Sequence, residues 1–164
     1  WSSKGQVRRT FFKSRSIDGV FNVPYPDLIF CAHRGTLYVF AIQTRDCDKE
    51  RPTANTVLCR APLMNIFSNN ALCVGNNTIP SNLEINQTIR AWESVMFDST
   101  YTHPNAGTQN FTLAKGGIEG LWSTLCKKPT KKFPIKLLSP ILLKTSSDPR
   151  HYTLSDLIKD LTEK

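Results

Sequence analysis

Ala61-Pro62-Leu63-Met64-Asn65-Ile66-Phe67-Ser68-Asn69-Asn70-Ala71-Leu72-Cys73-Val74-Gly75 is the stretch on which the reading of this chain turns. An apolar approach (Val57, Leu58, Ala61, Pro62, Leu63, Met64) delivers a single Asn65. A polar turn of Ser68, Asn69 and Asn70 follows, and Cys73 then sits between Leu72 and Val74, ahead of Gly75 and two asparagines. A turn-rich loop that returns to place one thiol near one carboxamide suits acyl transfer. The thiolate attacks or carries an acyl group, and an Asn N–H stabilises the oxyanion that forms. Taken alone, a Cys in an apolar context reads equally as a small buried hydrophobe.

The same stretch resembles the active-site segment of ubiquitin-conjugating enzymes. There a His-Pro-Asn motif runs through a short loop into the nucleophile segment. Here Leu63-Met64-Asn65 stands at the motif's place, so the Asn is retained and the His and Pro are lost, and Ala71-Leu72-Cys73-Val74 replaces the nucleophile segment. Loss of the His and Pro is similar to a bacterial branch, the prokaryotic conjugating-enzyme-like family D, typified by PRTRC system protein B. Further likeness lies in Leu37-Tyr38-Val39-Phe40-Ala41, Arg51-Pro52-Thr53 and Ala61-Pro62. It continues in Trp92-Glu93, Met96-Phe97, Ser99 and Tyr101-Thr102-His103, which resemble the family's Trp-Glu, aromatic pair, Ser and aromatic-Thr-His signature.

The resemblance implies an α+β fold in which an antiparallel meander of about four strands leads into the active-site loop and flanking helices. It implies Cys73 as the residue that takes an activated carboxyl terminus as a thioester and passes it to an amine or hydroxyl. Asn65 would serve the oxyanion or hold the loop. His103 would replace the missing motif His or act as a base, the alternative being a turn His bonded to backbone; Pro104 biases it toward extended backbone. The implied partners are a ubiquitin-like modifier protein and a ThiF-type activating enzyme. No cofactor or metal is implied.

Composition is that of a globular domain. The 164 residues, 40% hydrophobic and 21% charged, fit one domain with its own core. No apolar run approaches the ~20 residues of a membrane span, and no basic-apolar-small leader opens the sequence. Trp1 in place of Met is expected of a fragment or processed chain. Five cysteines (Cys31, Cys47, Cys59, Cys73, Cys126) form no Cys-x-x-Cys pair, which favours a reducing cytoplasm over a disulfide framework or zinc site. The net charge of +8 is uneven: +5 in residues 1–15, −2 in 16–112 and +5 in 113–164. Basic ends flanking a mildly acidic centre read as a solvated face, or as a surface for nucleic acid or an acidic protein.

In chain order, residues 7–12 predict a short edge strand and 17–26 a turn-rich approach in which Pro24 and Pro26 forbid a central strand. A hairpin is expected from 27–32 and 36–43 around His33-Arg34-Gly35, its second arm apolar enough to be buried on both faces. A charged loop at 44–53 precedes a strand at 56–60. Ser81-Asn82-Leu83-Glu84 has the form of a capping box, and Ile85, Ile89, Trp92 and Met96 predict an amphipathic helix over 82–97. Leu121, Trp122 and Leu125 suggest a short packing turn. The run 137–143 is expected to seal a sheet edge, and a last helix begins at Thr153 with Asp156 in its first turn. Trp92, Phe97 and Tyr101 are expected in the core.

Four functions compete on this sequence: a thioester-carrying transferase, a scaffold of the same fold that binds the modifier without carrying it, a basic nucleic-acid-associated plasmid-maintenance protein, and a Cys73–His103 hydrolase.

Overall fold

The computed structural model describes residues 1–43, 51–105, 111–128, 130–143 and 149–163. Six strands come first: β1 (Ser2–Ser3), β2 (Val7–Lys13), β3 (Asp18–Pro24), β4 (Asp27–His33), β5 (Thr36–Ile42) and β6 (Cys59–Arg60). Then follow α1 (Ile85–Phe97), β7 (Thr100–Tyr101), α2 (Gly117–Lys127), a 3-10 turn (Ile135–Leu137), β8 (Leu142–Leu143), β9 (Arg150–His151) and α3 (Leu154–Thr162). The class is α+β, as the sequence predicts. The expected charged loop at 44–53 lies mostly outside the described residues.

The single meander is not what forms. Strands β1, β4, β5 and β6 make one sheet in the order β1-β4-β5-β6, and β2, β3 and β7 make another in the order β3-β2-β7. The division falls at Pro24-Tyr25-Pro26, where two of three residues have no N–H to give a ladder. Tyr25 supplies the remaining one, to the Gln6 carbonyl at 2.9 Å. Pro24 ends β3, which is an edge strand and not a central one, as the prolines require, whereas the turn-rich approach expected at 17–26 is largely extended. The same sheet corrects the first strand. β2 is central, paired antiparallel to β3 over seven positions and parallel to β7 through Phe11↔Thr100 and Phe12↔Tyr101.

The β4–β5 hairpin agrees closely with its sequence. Arg34 and Gly35 both take positive φ (47° and 71°), as a two-residue turn matched to the twist of its arms requires. β5 is buried on both faces through Leu37, Val39, Phe40, Ala41 and Ile42. Its inner face joins the main core with α1, α2 and the β2–β3 sheet, while Phe40 and Ile42 meet Tyr152 and Leu157 in a second cluster beneath α3. The run before β8 seals a sheet edge as expected: Arg60 N–H donates to Ser139, and Ile141 N–H to Leu58.

Both interior helices depart from expectation at their starts. α1 begins at Ile85, since Asn82 sits at φ +54° and cannot be a helical residue; no side chain caps it, so the box at 81–84 does not form. α2 is a full helix that buries Ile118, Leu121, Trp122 and Leu125, where only a turn was expected. Its three glycines obscured it. Gly120 is needed because a Cβ there would lie 2.2 Å from the Lys115 carbonyl oxygen. Trp92, Phe97 and Tyr101 are core, as predicted.

α3 carries the cap read from the sequence. Thr153 and Asp156 bond reciprocally, side chain to backbone, and Arg150 grips the Asp156 carboxylate with two bonds of 2.7 Å. Arg150, then Thr153, hold the Asp156 carboxyl well below the usual carboxylate range. Its charged form is the one the fold favours, so its contribution is complete above pH ~4 and fades as pH falls through the depressed value. Asp156→Asn is expected to cost ~1 kcal/mol at neutral pH, mostly from the cap because the ion pair is solvent-screened. Urea denaturation at a series of pH values should show the variant and the parent converging in acid.

Candidate active site

The stretch 61–75 is a buried approach, a tight turn and a return, joined by an isolated bridge. Leu63, Met64 and Ile66 are at most 1% exposed, Ala71 and Leu72 are buried, and Asn65 and Cys73 are each half-buried between them. Three backbone features close the loop. Cys73 N–H donates to the Asn65 carbonyl at 2.8 Å, Phe67 N–H to Ala71 at 2.9 Å, and Ile66 and Leu72 form an antiparallel bridge. Asn65 and Cys73 are thus directly opposed. Opposed residues of an antiparallel pair put their side chains on the same face, with Cβ atoms about 5 Å apart. Here that face is the outer one, because their neighbours 64, 66 and 72 all point into the core.

The sheet holds this loop in place. β6 pairs with the end of β5 (Phe40, Ala41), and the return arm takes over where β6 stops: Tyr38 bridges Ala71, Val39 N–H donates to Asn70, and Leu72 N–H donates to Leu37 at 2.7 Å. Asn70 occupies the left-handed region at φ +66°, which its short polar side chain tolerates. Arg60, at the end of β6, donates to the Ser68 carbonyl at the turn at 2.7 Å and stacks 5.0 Å from the Phe111 ring.

A second segment lies against the first. The Asn65 carboxamide donates to the Thr100 carbonyl of β7 at 3.4 Å, and Asn105 N–H donates to Met64 at 2.9 Å. His103 is on this segment, exposed, with Nδ1 2.9 Å from Thr102 Oγ1. On the far side of Cys73, Asn77 Nδ2 donates to the Val74 carbonyl (2.9 Å) and to Ser99 Oγ (3.2 Å), and Ser99 Oγ donates to Val95 in α1. Of the three residues singled out from the sequence, Asn65 and Cys73 face each other across the loop, and His103 stands on the segment that is bonded to Asn65 and Met64 through Thr100 and Asn105.

Sequence reasoning gave no part to Asn77, Ser99, Thr100, Thr102, Asn105 or Arg60. Five of these act through a backbone group or on one, for which residue type carries no signal; Ser99, one of the five, and Thr102 stood in the quoted signature without a role. Asn77→Ala removes both side-chain bonds, the one that closes the turn on Val74 and the one that ties that turn to Ser99 just after α1. It should raise amide hydrogen exchange at 74–77 several-fold while leaving global stability within ~1 kcal/mol, the worth of exposed bonds.

Cysteine environments separate the thiols. Cys59 is buried in the core and its thiol is pushed up to about 12; Cys126 is raised to about 11 and Cys31 also upward, all by burial. All four described cysteines are free. Among the described residues no three His, Cys, Asp or Glu side chains converge as metal ligands do, and no helix is long and apolar enough to cross a membrane.

No curated protein and no solved structure matches the chain. A family model does: prokaryotic E2 family D, aligned to residues 1–141, which takes in the loop at 61–75, α1 and the His103 segment. The chain belongs to prokaryotic E2 family D, a family of ubiquitin-conjugating-like proteins.

Proposed function

We propose that this protein carries a ubiquitin-like modifier as a thioester on Cys73 and transfers it to an acceptor amine or hydroxyl. The observation that carries the reading is the direct opposition of Asn65 and Cys73 across a backbone-bonded loop, in a chain of this family. In the first step the Cys73 thiolate attacks the modifier's thioester on a ThiF-type activating enzyme. A new C–S bond forms and the enzyme's thiolate departs. The incoming acyl group is already activated, so a modest thiolate fraction suffices. In the second step an acceptor nucleophile attacks the Cys73 thioester, passes through a tetrahedral oxyanion and expels the Cys73 thiolate.

Asn65 has two carboxamide N–H groups. One is directed to Thr100, which makes Asn65 a brace between the loop and β7; the other is the donor this reading assigns to the oxyanion. His103 is assigned the proton of the incoming nucleophile. The finer placement in the PRTRC system protein B branch rests on the lost His-Pro and the signature from Trp92 to His103, and that in a reducing cytoplasm on five cysteines without a Cys-x-x-Cys pair.

The test incubates the protein with a ThiF-type activating enzyme, a ubiquitin-like protein and ATP, then resolves the products on non-reducing gels. A modifier adduct removed by thiol reductant supports the reading. Its absence while the activating enzyme itself becomes charged would leave the family's fold serving as a scaffold.

A further inference from the structure

Thr102 has no part in the reading so far, yet its hydroxyl is bonded to the His103 ring, at 2.9 Å from Nδ1. The rest of the segment fixes where that ring sits. Thr100 is bonded to Asn65 and Asn105 to Met64, so the segment is tied to the loop on both sides of His103. Tyr101, between them, is fully buried, its hydroxyl accepting from Tyr25. With Nδ1 engaged by Thr102, the ring has Nε2 left to meet solvent or an incoming group.

Resting on the thioester-carrier reading, we propose that Thr102 is a positioning residue: its Oγ1 accepts from His103 Nδ1–H and so holds the ring oriented with its Nε2 lone pair free to take the acceptor's proton. A hydroxyl donates and accepts with equal facility, whereas a neutral imidazole has one nitrogen of each kind. The step fixes the choice. As the acceptor amine attacks the thioester carbonyl, the new C–N bond forms, the amine's proton goes to Nε2, and the C–S bond breaks to release the Cys73 thiolate. Nε2 serves only if the ring's own proton is on Nδ1, and Nδ1–H needs an acceptor. The wrong tautomer removes the base while leaving every other contact of the loop unchanged.

Two measurements on the full chain test this. Long-range 1H–15N correlation spectra of the histidine rings should show the Nδ1–H form for His103, moved toward Nε2–H in Thr102→Val and kept in Thr102→Ser. Single-turnover discharge of a preformed Cys73 thioester to free lysine should slow roughly ten-fold in Thr102→Val, within the range of general-base effects. Charging should be unchanged, and Thr102→Ser should recover the parent rate. An Nε2–H ring in the parent protein, or a Thr102→Val variant that discharges like the parent, would overturn this inference alone. A parent protein that never charges removes the carrier reading and this inference with it.

Discussion

Cys73→Ala should abolish the reductant-sensitive modifier adduct completely, and Cys73→Ser should convert it to one that survives reductant and is lost in mild alkali. The serine variant is the sharper test. An oxyester in place of a thioester identifies the atom that carries the acyl group, which loss of signal cannot do. The other described thiols are poor substitutes. Cys59 is 1% exposed with its thiol pushed up to about 12, and Cys126, at about 11, holds a negligible thiolate fraction at neutral pH. Cys31 faces the second cluster beneath α3 and is raised by burial as well. An adduct that persisted in Cys73→Ala would move the chemistry elsewhere in the chain. Asn65→Ala is expected to charge and then discharge more slowly, by the ~3 kcal/mol that one oxyanion donor typically supplies. Because its carboxamide also braces the loop on Thr100, hydrogen exchange across 63–73 must be compared before that loss is assigned to the oxyanion.

What the sequence made legible follows from where its physics is local. The β4–β5 hairpin is written in an apolar arm and a Gly-containing turn, and α3 in Thr153 and Asp156; both form as read. The capping-box pattern at 81–84 was as clear and did not form, because Asn82 turned left-handed and α1 started after it. What distinguishes the two boxes is tertiary. Leu157 buries α3 from its first turn, whereas the first turn of α1 is exposed, Ile85 at 74%. The division into two sheets was half visible, since Pro24 and Pro26 announced a break in the ladder without saying which strands would regroup. The parallel pairing of β2 with β7 was not visible, being a contact between residues some ninety apart and only two residues long. At the site, the Asn65–Cys73 spacing was legible because eight residues suffice for a turn with its flanking pairs. The braces through Thr100, Asn105 and Ser99 were not, because a carbonyl or an N–H is present at almost every position.

Trp122→Ala should be the most damaging single change to the fold, and its effect should reach the site before the fold is lost. The ring is fully buried, within 5.7 Å of the Phe12 ring, 5.3 Å of Tyr25 and 6.3 Å of Tyr101, so it touches both central β2 and the strand that carries Thr100 into place. Truncating such a ring costs about 3–5 kcal/mol in lost transfer energy and residual cavity. Its indole N–H also donates to the Pro62 carbonyl at 2.7 Å, and the variant leaves that buried acceptor without its partner, at about 1–3 kcal/mol more. Against a typical domain stability of about 5–15 kcal/mol, the sum approaches unfolding. Trp122→Phe separates the two terms. It keeps most of the aromatic packing and removes only the N–H, so the domain should remain folded with its urea midpoint lowered by the equivalent of roughly 2 kcal/mol. Pro62 lies three residues before Asn65, so its carbonyl is the point at which α2 grips the arm that delivers the carboxamide. If that grip positions the site, Trp122→Phe should speed alkylation of Cys73 and slow discharge of its thioester under conditions where the protein is fully folded. A variant that loses stability yet alkylates and discharges at the parent rates would show that the loop is held by β5, Arg60 and Thr100 without help from α2.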